Sequence, residues 1–153
     1  MAARSVRPMA ADPIAVGRAR DLLDRADLLL ENASGVEDDP ERFRQLYLAA
    51  LRGAGAALAI HEPAGRAVRR RTPNAWSRIA RVVPDLAPHA EYFAELSVLR
   101  MNIEAGIERA VDPVLVAQVH RRVLVFLDAV EEQVVAYERG GAGIGSSSLA
   151  HPA

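Results

Sequence analysis

Six arginines, Arg66, Arg69, Arg70, Arg71, Arg78 and Arg81, fall within sixteen residues of sequence. A guanidinium is planar, permanently charged and forked, so a group of them suits bidentate recognition of phosphate or carboxylate oxygens. Trp76 stands among them and offers a stacking face, which together would serve RNA, a nucleotide or an acidic protein partner. The opposing expectation is a solvated basic loop, with Trp76 sharing a helical face with Ile79, Ala80 and Val83 and so belonging to the core. A seventh arginine, Arg100, lies four residues after Leu96 and three before Ile103, so its stem follows an apolar stripe. Its head either pairs with Glu104 at i+4 or sits in an interhelical groove near Asn102. These seven arginines are the binding candidates, and no residue is assigned a catalytic role.

Other chemistries find little support. The histidines, His61, His89, His120 and His151, are scattered without H-x-x-x-H or Glu-x-x-His spacing, so neither a metal nor a cofactor is expected. His120, at the border of an apolar stripe, reads as a half-buried boundary residue. There is no cysteine and no G-x-S-x-G, which removes thiolate chemistry and the serine elbow. The glycines from Gly140 to Gly145 follow a helix rather than joining a strand to one, unlike a phosphate-binding loop.

The elements that must position these residues are helices. Half of the 153 residues are apolar and a quarter charged, the composition of one folded domain. The net charge of −1 gives no global attraction to nucleic acid or to an anionic membrane. No apolar run approaches the ~20 residues that span a bilayer, and the first eleven residues lack a signal-peptide core, so a cytoplasmic location with no membrane partner is expected. Asp12-Pro13, Asp39-Pro40 and Asp112-Pro113 each set a capping carboxylate before a proline suited to the first helical turn. They predict helices over Pro13 to Ala33, Pro40 to His61 and Pro113 to Arg139. The second has a small-residue half, Gly53 to Ala57, fit for close packing. Thr72-Pro73 predicts a short helix carrying Trp76, and a further helix is expected from Pro84 or Pro88 to Glu108, striped by Tyr92, Phe93, Leu96, Leu99, Ile103 and Ile107. The expectation is an all-α, antiparallel up-and-down bundle of four main helices plus one short one over residues 13–139, between a flexible arm (1–12) and a disordered Gly/Ser-rich tail (140–153).

The small-residue second helix, the arginine-rich loop, the Trp76 helix, Pro84-Asp85-Leu86, Tyr92-Phe93-Ala94, Arg100 and the valine-rich last helix come in an order that resembles the small actinobacterial HEPN-like domain family named after a Streptomyces locus. The resemblance covers Ile14 to Tyr137 and implies a helical bundle, often dimeric. Some HEPN domains are metal-independent ribonucleases carrying an arginine followed after four to six residues by a histidine, and others are noncatalytic binding modules. Here Arg81 and His89 are separated by seven residues, Arg52 and His61 by eight, and no histidine follows Arg100 within reach. The resemblance therefore carries the fold and transfers no catalytic residue. The leading expectation is a noncatalytic module engaging RNA or a protein partner through the Arg66 to Arg81 surface, with a homodimer as one arrangement. The alternatives are a divergent ribonuclease of toxin/antitoxin type using Arg100 or Arg81 with His89, and a helical scaffold subunit of a larger complex.

Overall fold

The computed structural model describes residues 10–62 and 74–140. Outside the described residues lie most of the arm expected over 1–12, the basic loop from Pro63 to Arg71 with the Thr72-Pro73 start, and nearly all of the tail expected over 140–153. Every regular element among the described residues is a helix, and there is no strand among them. In chain order they form α1 (Pro13–Ser34), α2 (Asp39–His61), α3 (Ala75–Val82), a 3-10 turn (Pro84–Leu86), α4 (Ala87–Glu95), α5 (Ser97–Glu104) and α6 (Pro113–Glu138).

Local chemistry sets the boundaries. The Asp12 and Asp112 carboxylates accept from the amides of Ile14 at 3.0 Å and Val114 at 2.9 Å, with proline in the first turn of each helix. At α2 the cap is Asp38 rather than Asp39: its carboxylate takes the Glu41 amide at 3.0 Å, and Asp39 becomes the first helical residue. For α3 the cap is Asn74, accepting from Ser77 N–H at 2.9 Å.

The long helix expected up to Glu108 is instead two, α4 and α5, broken at Leu96. The Leu96 amide turns to the Phe93 carbonyl (3.0 Å), and the Ser97 hydroxyl bonds the Ala94 carbonyl at 2.8 Å, so a side chain competes with the backbone ladder where one helix gives way to the next. Its end also comes earlier. Gly106 adopts φ 78°, a left-handed conformation that suits glycine, and the amides of Ile107 and Glu108 return to the Asn102 carbonyl, closing the helix four residues before the expected end.

Helix α2 is central. It packs along α1, along α6 and against α3 and α5, which its alanine- and glycine-rich half permits. A Cβ added at Gly53 would stand 2.5 Å from Leu127 Cδ2 and 3.2 Å from Phe126 Cε2, so the α2–α6 approach depends on its absence. The core runs from Ala19, Leu23 and Ala26 of α1 through Phe43, Leu46 and Tyr47 of α2 to Val116, Val119, Val123, Phe126 and Val130 of α6. Trp76, Ile79, Leu86 and Phe93 close one side of it. The Arg20 guanidinium ties α1 to α6, donating to Glu131 at 2.7 Å and Glu138 at 2.9 Å, and both carboxylates hold its pKa above the ordinary arginine value.

Candidate functional site

Three of the seven candidate arginines lie in the described residues: Arg78 and Arg81 on α3, and Arg100 on α5. Arg78 makes a two-pronged bond with Glu62 at 2.7 and 3.0 Å, joining α3 to the end of α2 in a half-buried setting. That geometry satisfies the fork internally. Arg100 is likewise engaged: its Nε meets Glu104 at 3.2 Å, the i+4 pair anticipated from sequence, and its guanidinium carbon lies 5.4 Å from the centre of the Tyr47 ring. Arg81, in the last turn of α3, is exposed. Arg66, Arg69, Arg70 and Arg71 lie outside the described residues.

Trp76 is a core residue. It is 3% exposed, and its ring stacks on Phe93 at 5.1 Å and meets Phe126 edge-on at 5.8 Å. The indole N–H donates to the Tyr47 hydroxyl at 2.9 Å, and that hydroxyl donates to the Phe93 carbonyl at 3.3 Å. Burial pushes the Tyr47 phenol above its ordinary range, with Trp76 and Arg100 pulling the other way. The Tyr47 hydroxyl thus binds α2, α3 and α4 together under the Arg100 head.

A second polar group lies where α4 meets α6. His89 stands 5.4 Å from the Phe126 ring, Tyr92 is covered by the Arg122 guanidinium at 3.9 Å, and both face α6. Burial first and the Arg122 charge second lower the His89 pKa, disfavouring the charged ring. Burial raises the Tyr92 phenol, while Arg122 and Arg121 oppose it. His89 Nδ1 and the Tyr92 hydroxyl are buried and take no hydrogen-bond partner among the described residues. The arginine electrostatically coupled to His89 is therefore Arg122, thirty-three positions away on α6, rather than Arg81. Sequence spacing along one helix could not find that pair. Among the described residues no group of three or more His, Asp or Glu side chains is arranged to hold a metal, and no helix is long and apolar enough to cross a membrane.

The order of helices, the small-residue centre of α2 and the Tyr47–Trp76–Phe93 cluster fall within a stretch, residues 33–131, that matches the family model described as SAV_6107-like HEPN. The chain belongs to that HEPN family. The match runs from the end of α1 into α6, so α2 to α5 and the greater part of α6 are family structure. Neither the curated proteins nor the solved structures include a match to this HEPN chain.

Proposed function

We propose that this HEPN domain is a noncatalytic binding module whose partner is a second copy of the chain, met across α5 and the corner leading into α6. One observation carries the reading: α5 buries no residue fully, while Val98, Met101 and the following Ile107 are 64%, 61% and 71% exposed. Val98 and Met101 are three positions apart and so adjacent on one helix face. Large apolar side chains are also exposed on α1 (Ile14, Leu28) and α6 (Val114, Leu124, Val125), but those helices bury a full stripe on their other side, whereas α5 does not. A second copy fits it for two reasons. A short apolar stripe can meet itself across a two-fold axis, the commonest arrangement of soluble oligomers. The stripe also has exposed Glu95 at one end and exposed Arg109 at the other, so an antiparallel meeting sets opposite charges face to face. The absence of a histidine placed four to six residues after Arg100, and the engagement of Arg78 and Arg100 by carboxylates, support a noncatalytic role.

Light scattering over a series of concentrations tests this. The expected result is a dimer, shifted at least tenfold toward monomer by Met101→Glu, since that change sets a charge into a dehydrating contact, with helical content unchanged by circular dichroism. A monomer at every concentration overturns the reading. Affinity capture with and without nuclease separates the RNA reading, which exposed Arg81 favours: nuclease-sensitive capture, lost in Arg81→Ala and indifferent to Met101→Glu, would replace the dimer with RNA binding.

A further inference from the structure

We infer that the seam between α4 and α6 is an oxyanion site in which Arg121, Arg122 and His89 take up a phosphate group. The first ground is the setting of Arg122. Arg20, Arg25, Arg44, Arg78 and Arg100 each reach a carboxylate, at 2.7 to 3.2 Å, and other described arginines, half-buried Arg42 and Arg52 among them, reach none; what sets Arg122 apart is the aromatic ring beneath it and the unpartnered polar atoms beside it. Arg121 and Arg122 form no ion pair among the described residues, although Arg122 is half-buried, where an unbalanced guanidinium is costly. Its compensation from the Tyr92 ring, 3.9 Å away, is partial, because a ring quadrupole offers attraction but accepts no hydrogen bond from the guanidinium edge.

The second ground is the pair of orphaned polar atoms in the same seam. His89 Nδ1 and the Tyr92 hydroxyl are buried without partners, and buried polar groups in folded proteins are nearly always satisfied. Both belong to residues that feel the Arg122 charge, and Tyr92 feels Arg121 as well; no carboxylate figures among the influences on either. Arg121 and Arg122 are thus the charges that bear on this pair. His89 also sits in the first turn of α4, a helix start that no side chain caps. A phosphate supplies what the seam lacks: charge for two guanidinium forks and acceptor oxygens for a protonated imidazole. Burial and, second to it, the Arg122 charge now disfavour the imidazolium; an arriving anion offsets the second of these and so makes protonation of His89 easier. The site is separate from the bare face of α5 and does not depend on that face being an interface.

Titrating the full chain with inorganic phosphate at constant ionic strength, with NMR of arginine Nε–H and histidine ring signals, tests the site. The expected result is saturable shifts at Arg122 and His89, with the His89 titration moved upward. Arg122→Gln should weaken binding about tenfold or more, the usual effect of losing one charge-assisted contact. Arg18→Gln, on the exposed side of α1, should leave it unchanged. Because Arg122 packs on Tyr92, its replacement could loosen the fold. Arg121 is exposed, so Arg121→Gln is the second variant and should also weaken phosphate. Shifts that grow linearly without saturating, that are reproduced by chloride, or that survive both Arg121→Gln and Arg122→Gln overturn the assignment. Phenyl phosphate distinguishes a phosphate ester from free phosphate: tighter binding of the ester assigns the site to an esterified ligand, and equal binding to the free ion.

Discussion

The Tyr47 hydroxyl receives a hydrogen bond from Trp76 and gives one to the Phe93 carbonyl, inside a cluster where almost every other contact is between rings. Removing that one oxygen leaves the indole N–H of a 3%-exposed tryptophan without a partner. Tyr47→Phe is thus expected to cost about 1 to 3 kcal/mol, the range for an orphaned buried donor. Chemical denaturation should read it as a lowered midpoint with an unchanged slope. The core role of Trp76 was legible in its spacing from Ile79 and Val83. Its partnership with Tyr47 was not, because the two lie twenty-nine positions apart and a tyrosine in an apolar stripe gives no sign of where its hydroxyl points. The same blindness hid Arg122 and Arg20, whose partners are on other helices.

Helix starts were readable to within a residue because an Asp-Pro pair acts on its own backbone, although at α2 the acceptor proved to be Asp38. The break at Leu96 escaped, since an apolar stripe continues across α4 and α5 with little change of period and only the Ser97 bond to Ala94 marks the break. Glycines differ sharply from helix to helix. Gly17 in α1 has nothing within 4 Å of where a Cβ would stand, so Gly17→Ala should raise stability by about 0.5 to 1 kcal/mol through helix propensity. Gly53 faces Leu127 and Phe126, and Gly53→Val should lower it by about 1 to 3 kcal/mol through overpacking between α2 and α6. Thermal melts of the two variants should move in opposite directions. Equal shifts would mean that the close α2–α6 approach is not what the small residues serve.

For the bundle as a whole, acid sensitivity should fall on histidine before carboxylates. His61, half-buried with its Nε2 2.8 Å from the Gln133 side-chain oxygen, has a pKa lowered chiefly by burial, as does His89. A histidine that is harder to protonate folded than unfolded leaves the native state with fewer bound protons. Stability is then full above about pH 6.5 and falls as pH drops from there toward the folded values. Urea midpoints between pH 7.5 and 5 should show this decline, and His61→Gln should make it shallower; an identical slope would refute the assignment. Fold class, helix order and family were all visible in the pattern of apolar stripes and caps. The polar seam between α4 and α6 was not, because no local pattern records which faces two helices turn to each other.

The amide of Asp12, at the start of α1, donates to the Tyr137 hydroxyl at 2.9 Å, and Arg20, further along α1, holds Glu138, the residue after Tyr137. Positions 125 apart in sequence are thereby hydrogen-bonded neighbours in space. Topologically the bundle is close to a ring: a short linker from Gly140 to Ala10 would close it, and the exposed Gly106 turn is a place where it could be reopened with every helix intact. Connectivity in this domain is thus separable from architecture, and new chain ends could be set beside α5, far along the sequence from where the present helical order starts.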